Sequence, residues 1–234
     1  MKKIGIMQPY FLPYIGYFQL INHADTFVLH DGLKYTKKGW INRNRIADAL
    51  GEIKTISINL EKSSDFSLIR EKKISNSFDR HRLLRVLDNN YKRAPHFESL
   101  RPTLEEIVLF ETESMSLYLE HSIEKLLGFL SIETVLFSAR QVSHNPQLTS
   151  SDLVMDIVSG VGGTHYINME GGRDLYSKRE FKIHNIDLKF LRPDLAQLPA
   201  DERGVTDGTL SIIDLIAYRG LERVKELLNR FNLS

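Results

Sequence analysis

Two periods of hydrophobicity take turns along this chain. Lys3-Ile-Gly-Ile-Met-Gln8 is a short apolar run stopped by Pro9, which predicts a buried strand. Tyr14 to Asn22 then carries Phe18 and Ile21 at helical spacing, and Asp25-Thr-Phe-Val-Leu-His30 is a second apolar run ended by Asp31-Gly32. Strand, helix and strand within about 30 residues make a βαβ unit with parallel strands and a right-handed crossover. The alternation stops at Leu33. Glu52 to Leu60 has period two and predicts a half-buried strand, within an excursion over 33–70. Three amphipathic helices are predicted next, carrying Leu83, Leu84, Leu87 and Tyr91, then Leu100, Leu104, Ile107 and Val108, then Leu119, Ile123, Leu126, Leu127 and Leu130. Strand and helix resume after that. Glu133–Ser138, Thr164–Asn168 and Ile186–Leu191 read as strands, a helix capped at Thr149 or Ser151 precedes the second, and Asp174–His184 reads as helical. Two helices, Leu210–Tyr218 and Leu221–Phe231, finish the chain, and Pro193–Thr209 reads as a long exposed loop suited to a lid.

The fold expected is one α/β domain over 1–234. Its core is a mostly parallel five-stranded sheet of Rossmann-like or nucleotidylyltransferase-like type. Residues 33–70 form an inserted basic and aromatic arm, and 78–130 a helical insertion.

Composition narrows the chemistry. Among 234 residues, 42% are hydrophobic and 26% charged, enough for a sizeable core. With 31 Lys and Arg against 30 Asp and Glu, the chain lacks the overall basic charge of a general polyanion binder, which argues against RNA. There is no cysteine, so disulfides, thiolate nucleophiles and Cys-ligated zinc are excluded. The first apolar stretch is broken by Gln8, Pro9 and Pro13 and does not make a signal peptide, and no run is long enough for a membrane span. The expected setting is the cytoplasm, without membrane insertion. The eight histidines are scattered without metal-ligand spacing, and no metal site is assigned.

In an open parallel sheet, ligands bind beyond the carboxyl ends of the strands. Gln8, Tyr10, Tyr14, Gly16 and Tyr17 lie at the first such end, where a helix N-terminus favours an anion and tyrosine offers a flat face and a hydroxyl. Tyr14-Ile-Gly-Tyr17 stands where nucleotidylyltransferase-like proteins carry His-x-Gly-His, with tyrosine for both histidines. His30 and Asp31 end the second strand, with His30 the candidate general base. The arm Lys34–Arg45 holds five cations and the only tryptophan. Lys38, Trp40, Asn42, Arg43 and Arg45 suit a phosphorylated ligand with a base or sugar to stack. Asn168, Gly171, Gly172 and Arg173 follow a later strand on the same rim, where the glycine pair permits φ > 0 and close backbone approach. Each group has a plainer alternative: tyrosines as core edges, a surface histidine, a solvated hairpin, a simple turn.

Four stretches together resemble the WbqC-like family: Ile6-Met-Gln-Pro-Tyr-Phe-Leu-Pro-Tyr-Ile-Gly-Tyr-Phe-Gln-Leu20, Asp25-Thr-Phe-Val28, Lys38-Gly-Trp-Ile-Asn-Arg-Asn-Arg-Ile46, and Tyr166-Ile-Asn with Gly171-Gly-Arg-Asp-Leu-Tyr176. The late turn departs from the family's Ser-Gly-Pro with Asn168-Met-Glu170. The resemblance implies a place in bacterial surface-polysaccharide clusters of O-antigen type, with a nucleotide-linked sugar as partner. Joined to the residues above, it leads to an expected transferase that moves an acyl or aminoacyl group onto a nucleotide-linked amino sugar. No cofactor is assigned beyond a nucleotide or an acyl or aminoacyl donor. An ATP-using, nucleotidylyltransferase-like or adenylate-forming enzyme and a non-catalytic module for a glycan precursor or RNA are the alternatives. All these readings require the stretches near 8–17, 30–45 and 168–176 to share one mouth of the sheet.

Overall fold

The structure, a computed structural model, describes residues 1–195 and 198–234. The central strand is β1 (Lys3–Met7), and α1 (Ile15–His23) carries the chain back to β2 (Thr26–Leu29), paired parallel to β1 with Ile4 opposite Thr26. β5 (Val135–Ser138) adds outside β2, and on the other side of β1 stand β6 (His165–Met169) and β7 (Asp187–Pro193), all parallel. A sixth strand, β8 (Phe231–Leu233), closes the edge antiparallel to β7. The sheet order is β5-β2-β1-β6-β7-β8. This corrects the five-strand expectation. The last helix stops at Leu227 instead of Phe231, and the freed tail pairs with Leu191–Pro193. A parallel sheet turns in both directions from β1, so β1 and β6 flank the switch point where ligands gather in such folds.

Both faces of the sheet are covered, as parallel sheets require. Period two sorts the strand residues between them. Phe27, Leu29, Ile167, Met169 and Leu191 enter the larger core, shared with α1 and with the hairpin β3 (Arg43–Ala47) and β4 (Ile53–Ser57). The same core takes in α2 (Arg80–Tyr91), α3 (Phe97–Val108), α4 (Met115–Leu130), α7 (Ile212–Arg219) and α8 (Leu221–Leu227). Ile4, Ile6, Val28, Tyr166, Leu188 and Phe190 face the smaller core, formed by α5 (Ser150–Gly160) and α6 (Lys178–Ile183). The three helices expected between 78 and 130 form where their stripes place them. The Asp79 and Ser114 side chains accept from Arg82 N and Leu117 N at the starts of α2 and α4. The single helix expected over 174–184 is instead a 3-10 segment, Glu170–Leu175, followed by α6. Between them Tyr176 is extended and its ring packs edge-on to Tyr166 and Phe181.

The expected lid over Pro193–Thr209 also needs correction, in so far as it falls on described residues. Arg203, from the middle of that span, is buried beside Tyr218 and pairs with Asp201 at 2.8 Å and with Asp214 of α7. It also donates to the Ala47 carbonyl at 2.9 Å, while Asp214 accepts from Ala47 N (2.8 Å) and Tyr91 Oη (2.7 Å). The span is therefore anchored at its midpoint to the hairpin, α2 and α7. Among the described residues, no helix is long and apolar enough to cross a membrane.

Candidate functional site at the carboxyl rim

Three segments distant in sequence are tied together above the end of β1. The turn after β1 runs between Pro9 and Pro13, with Leu12 at φ 44°, a left-handed value that is costly for a branched side chain. The strain is held by hydrogen bonds: the Leu12 carbonyl accepts from Asn44 Nδ2 at 2.6 Å and Ser211 Oγ at 2.7 Å. Phe11 N donates to Ile41 O, Ile212 N to Pro13 O, and Ser211 N to Arg45 O. Turn, hairpin and the start of α7 thus form one block. A cleft of about 220 Å³ opens on it, lined by Tyr10, Pro13, Tyr14, Trp40, Asn44, Arg45 and Thr209.

Trp40 and Arg45 wall this cleft, and Arg43 lies against the Trp40 ring without lining it. Arg43 and Arg45 stand two residues apart on β3 and so share a face, and their guanidinium carbons lie 5.5 and 5.4 Å from the Trp40 ring. Trp40 is 43% exposed. Arg45 donates to Thr209 Oγ1 at 2.6 Å and lies 3.6 Å from Asp207. Arg43 spends hydrogen bonds on the Gly39 and Lys38 carbonyls, and among the described residues no carboxylate lies within 4 Å of it. Lys38 is exposed and does not line this cleft but a separate hollow, with Lys34, Tyr35 and Asp65. The floor of the cleft is tyrosine. Burial raises the Tyr10 hydroxyl above its ordinary pKa. Burial first, and then Tyr10, pushes Tyr14 up to about 12. Both hydroxyls are protonated at neutral pH, able to donate and to accept, and unable to act as bases there.

Other expected residues take structural work. Tyr17 is fully buried and its hydroxyl donates to the Gln8 carbonyl at 2.9 Å, so its ring is core and not a stacking surface. A side chain at Gly16 would meet the Tyr14 ring at 2.4 Å. That glycine lets the tyrosine lie on the first turn of α1, and the expected approach of a phosphate to Gly16 is blocked by the same ring. Asn42 accepts from Tyr35 Oη and donates to Ile58 O, fixing the arm. Gln8 is half-buried at the end of β1.

The late turn does not join this cleft. None of residues 168–173 lines it. Arg173 forms a bidentate pair with Glu170 (2.7 and 2.9 Å), also reaches Ser234, and stacks over Phe190 on the α5 side. Neither Gly171 nor Gly172 has positive φ; Gly172 is required instead because a Cβ would strike Asn168 Nδ2 at 2.5 Å. Asn168 is buried and caps its own turn, Oδ1 accepting from Met169 N. The single mouth expected from the sequence is therefore divided by the sheet.

His30 lies on the other side of that division. It continues the Val28 face of β2 and lines a separate cavity of about 110 Å³ with Met7, Leu33, Ser150, Leu153, Tyr166 and Tyr176. The side chain is 4% exposed, and neither ring nitrogen has a hydrogen-bond partner. Burial lowers its pKa to about 4, His144 and Arg70 adding to the effect and Asp31 opposing it. It is a neutral imidazole at pH 7. Asp31 does not orient it, because its Oδ2 accepts from Ser116 Oγ at 2.6 Å and faces Arg140 Nε at 3.3 Å. Those bonds pin the end of β2 to α4 and to the segment after β5. His30 and Asp31, both candidate catalytic residues, thus point to different partners, as period two favours for neighbours at a strand end.

Asn44 and Thr209 are lining residues that the motif reading passed over. Asn44 stood inside the arm, but its role depends on carbonyls more than 30 positions earlier. Thr209 follows Asp207-Gly208, where the Asp207 side chain accepts from Thr209 N at 2.8 Å, a turn legible in the sequence whose position beside Arg45 is not. Among the described residues, no group of three or more His, Asp or Glu could hold a metal ion.

Comparison with known proteins follows the same residues. The chain is 28% identical over 224 residues to a Mycobacterium tuberculosis protein named "Uncharacterized protein Rv1507c", the match covering 95% of this chain and 96% of that one. No solved structure matches it. The family pattern described as "WbqC-like protein family" matches residues 8–226, from the turn after β1 through most of α8. This chain belongs to the WbqC-like protein family.

Proposed function

We propose that the protein is a transferase of bacterial surface-polysaccharide biosynthesis that acts on a nucleotide-linked amino sugar, adding an acyl or aminoacyl group to the sugar amine. One observation carries this reading: Trp40 stands exposed against two arginines and beside two tyrosines with protonated hydroxyls, in a cleft of about 220 Å³. A base or sugar ring stacks on Trp40. Arg43 and Arg45 meet the diphosphate with forked donors, and Tyr10 and Tyr14 offer hydroxyls to the sugar. In the transfer the amine nitrogen bonds to the acyl carbon, the donor's leaving group departs with its bonding electrons, and the amine gives up a proton.

The test is a thermal-shift panel of uridine, thymidine and guanosine diphosphate amino sugars, the free nucleotides, ATP with magnesium, and a short RNA. A ligand at a hundred times its Kd adds about 2.7 kcal/mol of stability. A nucleotide-linked amino sugar is expected to stabilise wild type but not Trp40→Ala, and the hit, incubated with acyl or aminoacyl donors, gains the mass of the transferred group. Stabilisation by ATP or RNA alone, or an undiminished shift in Trp40→Ala, overturns the reading.

A further inference from the structure

The cavity beside His30 has no part in that reading, yet it has the makings of a site. It lies at the carboxyl ends of β1 and β2, with Tyr166 of β6 in its wall, on the face opposite the Trp40 cleft. Its walls are apolar: Ile6, Met7, Leu33, Leu153 and Val154, with Tyr166 and Tyr176 crossing edge-on at 5.7 Å. Besides the Tyr166 and Tyr176 hydroxyls, which pair with each other, two polar features face this lining. The first is the His30 ring, buried, with both nitrogens unpartnered. A neutral imidazole keeps one donor and one acceptor, and a buried pair of this kind needs a partner from outside the chain. The second is the start of α5, an 11-residue helix whose first residue, Ser150, lines the cavity and whose cap residue Thr149 makes no side-chain hydrogen bond to it. Uncapped N–H groups and the helix dipole attract negative charge there.

Size and charge narrow the occupant. A volume of about 110 Å³ is that of a few waters, at roughly 30 Å³ each, and so of a molecule of a few heavy atoms. No lysine or arginine lines the cavity: Arg70 is exposed and outside the lining, and Asp152 of the first turn lines a different hollow with Asp156 and His184. Half a dipole charge and a neutral donor balance one negative charge, not two. We propose that this cavity is a second binding site, which takes a short-chain monocarboxylate with its carboxylate between His30 and the start of α5 and its alkyl chain along Leu153, Val154 and Tyr166. The inference does not depend on the nucleotide-sugar reading, since neither cleft shares a lining residue with the other.

The experiment uses the full chain labelled with nitrogen-15 histidine at pH 7, the His30 signals being those absent from His30→Gln. Acetate, propionate and butyrate are titrated against inorganic phosphate and propylamine. Propionate or butyrate is expected to move the His30 ring signals saturably in the millimolar range, while phosphate and the amine leave them in place. Leu153→Trp fills the cavity with His30 intact and is expected to abolish the shift. Ser150→Asp sets a like charge beside the carboxylate and is expected to weaken it about tenfold or more. In both variants the nucleotide-sugar response of the Trp40 cleft should be unchanged. Ring signals unmoved by every acid, phosphate acting as strongly as butyrate, or full binding in Leu153→Trp would each overturn the proposal.

Discussion

Arg203 and Arg45 sit within one block of the molecule, and each stacks on an aromatic ring, yet they answer opposite demands. Arg203 is 3% exposed, 3.5 Å from the centre of the Tyr218 ring, and its charge is met by two carboxylates that are themselves buried. Burial alone would lower its pKa, but the hydrogen bonds it donates to Asp214 and Asp201 outweigh that and raise it. Arg45 is about one-third exposed, has one carboxylate at 3.6 Å, and turns a face of its charge toward an open cleft. A cation whose donors are all spent on its own chain holds structure together. One left half-served is available to a ligand.

The largest effect should fall on the buried side. Asp214→Ala takes one of the two carboxylates from buried Arg203 and leaves Tyr91 and Ala47 N without an acceptor; urea denaturation is expected to show a loss of about 3–5 kcal/mol. A loss below 1 kcal/mol would mean that the cluster is not the anchor described. Next comes pH. His30 has a folded pKa of about 4 against 6.5 unfolded, so the unfolded chain binds the extra proton. Its contribution to stability is highest above about pH 7, falls as pH drops through 6.5, and levels off below 4, a swing of about 3 kcal/mol. In His30→Leu that part of the acid slope should vanish from melting curves recorded between pH 7 and pH 5. On the exposed side, Trp40→Ala should cost about 1–3 kcal/mol in nucleotide-sugar affinity by calorimetry while leaving stability within about 0.5 kcal/mol. Smallest of all, Lys37→Ala breaks a fully exposed pair with Asp65 at 2.5 Å and should leave the melting temperature unmoved. If Lys37→Ala and Asp214→Ala shifted it equally, the contrast between spent and open charge would collapse.

Local pattern carried most of the fold. The parallel strands and the three helices between 78 and 130 follow from period two and period 3.6, because each must bury one face. β8 escaped because Phe231-Asn-Leu233 is too short to show a period and merely continues the apolar spacing of α8. The Arg203 cluster escaped because its members lie in a loop and on a helix, each an ordinary charged residue in its own neighbourhood. For the site, residue types were legible and sidedness was not. Period two puts His30 on the Val28 face, but which face receives the Trp40 arm depends on how α1 and the hairpin cross the sheet. Tyr10, Tyr14, Trp40 and Arg45 meet through hydrogen bonds to Leu12, a residue no motif singles out.

That Leu12 carbonyl has a mechanical consequence. One oxygen receives both Asn44 and Ser211, so it acts as a rivet through the hairpin, the first loop and the last third of the chain. A flap that swung open would have to break both bonds and release the backbone from its left-handed turn. The mouth is therefore set before anything arrives, and a guest must enter along its open side. Catching and releasing it should leave the hydrodynamic radius and the protease-cutting pattern of the hairpin as they were.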